Sequence, residues 1–215
     1  MAGVITRLVY QKQNPQRVNV FLDEAYALAV ADAVAARLKV GQWLSDTEIA
    51  EMQGVDLTAR AYDKALRYLA PRPRSRAEVE TRLLRADVPA GVVTEVMSRL
   101  QEQGYVDDTA FATWWIDNRQ RFSPRGTQAL RFELVQKGVD RTVINEALTL
   151  VDSTEQALAA GRTKIERWRH LPHDEFYKKM LGHLQRRGFT YATARTVSDE
   201  LWRTQGGQPA DESDP

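Results

Sequence analysis

The sequence contains no cysteine, which excludes disulfides, thiolate catalysis and cysteine-ligated zinc and fits a reducing compartment. A cytoplasmic location is therefore expected. Only three histidines are present. His170, His173 and His183 sit close together, but Pro172 keeps His170 and His173 off a common helical face, and no cysteine or third clustered carboxylate joins them. Neither a metal nor a cofactor is expected. No run approaches the roughly 18 apolar residues of a membrane span, and the opening MAGVITRLVYQKQ lacks the apolar core of a signal peptide. Charge of one sign is missing too: 30 basic against 29 acidic residues leave +1, so no global field draws the chain onto nucleic acid or membrane. An electrostatic partner must be met by a local patch. Gly-rich phosphate loops, a Ser-centred elbow and paired catalytic carboxylates are absent, and Asp107-Asp108 reads as a helix N-cap. No catalytic role is expected.

What is present is periodicity. In VITRLVYQK and RVNVFLD apolar residues recur at every second position around a turn-forming NPQ, which predicts a β-hairpin, with AYALAVA as a candidate third strand. The period then changes. DAVAARLK predicts a short helix to about Leu38, Gly41 a break, and Ser45 with Glu48 the capping box of a second helix. From Ala61 the pattern is helical and repeats at offsets of about 51 and 50: Leu83, Leu134 and Leu184 correspond, followed by Asp87, Gly138 and Gly188, then by Val88, Val139 and Phe189. Each unit reads as three helices, the first spanning about 61–70, 108–121 and 153–169. Gly138 and Gly188 suit a left-handed helix C-cap, with Asp87 as a tolerated substitute. The expected fold is mainly α: three tandem three-helix repeats (61–106, 107–152, 153–203) in an elongated array, preceded by a small α/β module with a β-hairpin (1–60) and followed by a disordered acidic tail (204–215).

The basic residues carry the clearest functional signal. Between Arg67 and Arg85 six arginines face two glutamates. Pro71 and Pro73 stiffen the approach to a helix capped by Ser75 with Glu78, presenting Arg72, Arg74 and Arg76 outside the apolar face of Val79, Leu83 and Leu84. The next unit repeats Pro-Arg at Pro124-Arg125 and adds Arg119, Arg121 and Lys137. Arginine suits planar, bidentate contact with carboxylates or phosphates, although exposed charges are also the ordinary solvated face of a helix. Trp114 and Trp115 point about 100° apart on one helix; core packing on both sides is the leading reading, contact with a neighbouring helix or solvent the other.

The runs YLAPRPRSRAEVETRLL, LQEQGYVDDTAFATWWIDNR and PRG with LRFELVQKGVDRTVINEAL resemble the RecX family of regulators of the RecA recombinase. ITRL, RVNVFLD and LKVGQWLSD resemble the β-containing extension of longer members, and the third unit, around HLQRRGFTYATARTVSDEL, is more degenerate. The resemblance implies a non-enzymatic protein that lies along the groove of the RecA–DNA filament, blocks ATP hydrolysis and strand exchange, and can favour net disassembly; a monomer is expected. Arg72, Arg74, Arg76, Arg119, Arg121, Arg125 and Lys137 are the candidate contacts to recombinase or DNA. Direct binding of single- or double-stranded DNA by basic three-helix units is the alternative, with a net charge near zero favouring the protein partner.

Overall fold

The computed structural model describes residues 2–205; from residue 206 on, the tail expected to be disordered lies outside the described residues. The chain forms two units. One comprises the residues up to Pro71 together with Val79–Tyr105, the other Arg72–Glu78 together with the residues from Val106 on.

In the first unit, β1 (Gly3–Gln11), β2 (Asn14–Leu22), β3 (Ala25–Ala31) and β4 (Trp43–Leu44) form an antiparallel sheet of order β3-β2-β1-β4. The period-2 alternation buries Ile5, Val18, Val20, Leu22, Leu28 and Val30 on one face with Leu44 and Ile49. The hairpin turn falls on Lys12-Gln13 rather than on NPQ. Asn14 pairs with Gln11, and Pro15 occupies the exposed start of β2, where its missing N–H costs least. Asp23 and Glu24, both at positive φ, make the tight turn into β3. β4, two residues long, has no periodicity to betray it. α1 (Asp32–Ala35) ends before Leu38.

Ser45 and Glu48 form the expected capping box, but the helix they open does not stop. α2 runs Asp46–Leu69 without a break, so the helix expected from Ala61 is its second half. Gly54 is accommodated inside it at a propensity cost of about 1 kcal/mol. α2 packs on α4 (Ala90–Glu102), and Ala61, Ala65, Val93, Val96 and Leu100 are buried with Val79 and Leu83 of α3 (Arg76–Leu84).

In the second unit, α5 (Asp108–Phe122), α6 (Thr127–Gln136) and α7 (Arg141–Leu148) enclose Phe111, Ile116, Leu130, Leu134 and Ile144. α8 (Ser153–Trp168), α9 (His173–Arg186) and α10 (Tyr191–Arg203) enclose Phe176, Met180, Leu184, Val197 and Leu201. Asp107 caps α5 as expected, accepting the N–H groups of Thr109 and Ala110. Asp87, Gly138 and Gly188 all adopt positive φ (57°, 74° and 84°) in the turns after α3, α6 and α9.

Candidate functional site

Ser75 sets the geometry around the first arginines. Its Oγ accepts the Glu78 N–H at 3.2 Å and its own N–H donates to Glu78 Oε2 at 3.3 Å, which fixes a carboxylate in the first turn of α3. The buried Ser75 hydroxyl also donates to the carbonyl of Lys137 at 2.6 Å, bringing in a residue 62 positions away. Lys137 Nζ then lies 2.9 Å from Glu78 Oε1. Arg72 forks onto the same carboxylate at 3.1 and 3.4 Å, with Arg74 Nη1 at 4.0 Å. Burial pushes the Glu78 carboxyl up, but hydrogen bonds from Lys137 and Arg72 outweigh it and hold the group below the usual glutamate range.

Glu133 on α6 is a second such centre. It accepts Trp115 Nε1 at 2.8 Å and Arg119 Nε at 2.7 Å, and Arg125 Nε stands 3.8 Å away. The two centres are linked by aromatic faces. Lys137 and Arg119 lie over the Trp115 ring at 5.1 and 4.7 Å, Arg72 over Trp114 at 5.9 Å, and both tryptophans pack against buried Phe111. Each tryptophan therefore roots in the core and carries a cation outside. Arg187 extends the cluster, donating from Nη1 to the Pro124 carbonyl at 2.9 Å; burial, then the nearby Arg125 charge, lowers its guanidinium pKa.

Arg72, Arg74, Arg119, Arg125 and Lys137 are thus brought into one cluster, in which five cations share two carboxylates. Arg76 and Arg121 are exposed, with the Arg76 backbone N–H donating to Asp108 at 2.8 Å. The expectation that Arg72 and Arg74 stand clear of the fold on the Pro71–Pro73 approach is corrected. Their side chains are 29% and 17% exposed and are tied into the packing of α3 through Glu78. Glu133, the tryptophan platforms and Arg187 escaped the sequence reading. A usable signal existed for Arg187, because it precedes Gly188 just as Lys137 precedes Gly138.

The histidines do not converge. His183 is buried edge-on against Trp168, and His173 lies between Tyr177 and Trp202. Among the described residues no group of three His, Cys, Asp or Glu side chains could hold a metal ion, and no helix is long and apolar enough to cross a membrane.

Three family models match the chain: the regulatory protein RecX N-terminal domain over residues 3–45, and the first and second three-helix domains of RecX over residues 61–100 and 107–148. The regulatory protein RecX of Bacillus subtilis (strain 168) is 33% identical over 202 residues, covering 92% of this chain and 76% of that protein. That of Bacillus licheniformis is 34% identical over 192 residues, covering 87% and 73%. A crystal structure of a regulatory protein RecX superposes with a TM-score of 0.71 at 28% identity, covering 93% of this chain and 100% of the other. A structure of RecX from Lactobacillus salivarius gives 0.62 at 25%, covering 68% and 97%.

Proposed function

The chain belongs to the RecX family of regulatory proteins, and from that premise we propose that it binds along the groove of the RecA recombinase filament. There it inhibits ATP hydrolysis and DNA strand exchange, modulating recombination and DNA repair without a catalytic step of its own. The observation that carries this reading is the charge imbalance of the Glu78–Glu133 cluster. Five cations on two carboxylates leave a local excess of three in a chain whose net charge is only +1, and the exposed Arg76 and Arg121 flank it. Such a patch attracts an acidic protein surface locally while the molecule as a whole has no strong pull on bare DNA. The guanidinium planes are already oriented by Trp114, Trp115 and the carboxylates, so less side-chain freedom remains to be lost on contact.

The test is inhibition of the single-strand-dependent ATPase of the cognate recombinase by a variant carrying Arg76→Glu and Arg121→Glu. These changes leave both carboxylate centres intact, whereas reversing Arg72 and Arg74 would break the Glu78 centre. Half-inhibition should require a several-fold higher concentration of the variant, and inhibition by the parent should weaken with added salt. Unchanged inhibition refutes the contact. Binding of bare single-stranded DNA as tight as binding of the filament at physiological salt favours direct DNA binding instead.

A further inference from the structure

The turns at Gly138 and Gly188 each receive the start of a helix. Lys137 O accepts from Ser75 Oγ at 2.6 Å, and Arg187 O accepts from the Gly126 N–H at 2.9 Å. The approach is so close that a Cβ on Gly138 would lie 2.4 Å from the Ala77 Cβ, and one on Gly188 2.4 Å from that of Ala129. The turn Ala86–Asp87–Val88 is built the same way. Val88 N–H bonds to Leu83 O at 3.3 Å as Val139 does to Leu134 and Phe189 to Leu184, both at 3.2 Å, and Asp87 has the same positive φ. Among the described residues no helix start fills this third place. The turn borders an open cavity of about 630 Å³ walled by α2 and the sheet, and among the described residues nothing donates to the Ala86 carbonyl.

The cavity wall has a definite chemistry. Arg60, Lys64 and Arg67 line it at i, i+4 and i+7 on one face of α2, and among the described residues no ion pair holds any of them. Arg17, also on the wall, is neutralised by Asp56 at 2.7 and 2.8 Å. Asp63 and Asp87 supply carboxylates nearby.

We propose that this cavity is a docking site for the N-terminal turn of a helix of another protein, one with carboxylates in its first turn and a small residue facing Asp87. The first-turn N–H groups of any helix lack internal partners, and the Ala86 carbonyl with the Asp87 carboxylate offers acceptors for them. The positive end of the helix dipole meets the Asp87 charge. Carboxylates on the flank of that turn meet Arg60, Lys64 and Arg67, whose span of about 10 Å matches two helical turns. Asp87 in place of glycine holds the incoming backbone further off than in the two filled turns and bridges the gap with its own oxygens. The wall carboxylates disfavour a phosphate backbone, which would bring negative charge past Asp63 and Asp87 at every nucleotide. A second copy of this chain fits less well. Its α9 has an exposed, acidic start, but Asp174 is the second residue of that helix, as Ala77 is of α3, so it would face Asp87. This site lies in the first unit and does not rest on the recombinase reading.

The probe is a fluorescent, N-acetylated helical peptide of about fifteen residues opening Ser-Glu-Ala-Glu, compared with a peptide of the same composition whose glutamates sit in the last turn. Binding is measured by anisotropy with the full chain. The first peptide should bind and the second should not. Lys64→Glu with Arg67→Glu, or Arg60→Glu alone, should weaken binding about tenfold, and Asp87→Asn several-fold, with circular dichroism melts near the parent's. Equal binding of both peptides, no binding up to about 1 mM, or indifference to the substitutions overturns the proposal. So does displacement of the peptide by an oligothymidylate, which makes this a phosphate site. Sedimentation showing self-association lost on Arg60→Glu assigns the cavity to a second copy and overturns it as well.

Discussion

Gly138→Ala tests the close packing of a helix start on a turn. Two costs follow from the structure. Alanine at φ 74° pays about 1–2 kcal/mol for the left-handed conformation. A Cβ 2.4 Å from the Ala77 Cβ forces a shift in a packed contact, which costs about 1–3 kcal/mol. The sum, about 2–5 kcal/mol, should appear in urea unfolding followed by the fluorescence of Trp114 and Trp115, which lie in the same unit. The two costs separate in a double-mutant cycle. Ala77→Gly alone loses about 1 kcal/mol of helix propensity, but in the Gly138→Ala background it removes the colliding methyl and should show a coupling of about 1–3 kcal/mol. Gly188→Ala should not be rescued by Ala129→Gly, because there the backbone N of residue 129 itself stands 2.5 Å from the new Cβ. Asp87→Gly, in a turn of the same conformation with no helix start against it, should change stability by no more than about 1 kcal/mol. A loss below about 0.5 kcal/mol for Gly138→Ala, or a cycle without coupling, would refute the reasoning.

Glu78→Gln keeps the cap geometry but leaves Arg72, Arg74 and Lys137 without their shared charge. Breaking a buried pair costs about 3–5 kcal/mol and an exposed one about 0–1 kcal/mol. For a carboxylate 15% exposed, a loss between these, about 1–3 kcal/mol, is expected in the same unfolding assay. The pH dependence follows from His183, whose pKa is pushed below its ordinary 6.5 first by burial and then by Arg187, against a raising hydrogen bond that the imidazole donates to the Ala160 carbonyl. Because the unfolded chain binds this proton more readily, stability present above pH 6.5 is lost as pH falls through the lower folded value. Thermal melts across this range should show that slope in the parent and lose it in His183→Gln. Glu78 adds a second, more acidic window below its ordinary 4.5, where protonation releases Lys137 and Arg72.

The sequence made the tandem turns legible because they depend on local rules. Asp87, Gly138 and Gly188 mark positive φ by residue type and register, and Ser45-Glu48 and Ser75-Glu78 announce their helices by spacing alone. What it hid was non-local. The Ser75 hydroxyl and the Lys137 carbonyl are 62 positions apart, and no periodicity encodes that they meet. Nor could the chain alone say that Trp114 and Trp115 would both pack on Phe111 and each support a cation. The continuity of α2 was obscured for a different reason: Gly54 and the change of pattern near Ala61 read as an ending, whereas packing of α2 on α4 carries the helix through. The NPQ turn was misplaced by two residues because Pro15 is tolerated at the outer end of a strand as well as in a turn.

The departure at Asp87 acquires a physical meaning from the two filled turns. Conformation alone does not explain why glycine stands at 138 and 188, since Asp87 adopts the same left-handed geometry with a side chain attached. Close approach does: at 138 and 188 a methyl group would collide with an alanine of the arriving helix, and at 87 no helix arrives among the described residues. A similar logic separates structural from exposed charge among the arginines. Arg72, Arg74, Arg119 and Arg125 are held at Glu78 and Glu133, so replacing them perturbs packing and contact together. Arg76 and Arg121 are exposed, so a loss of inhibition on their reversal reports contact only where unfolding is unchanged.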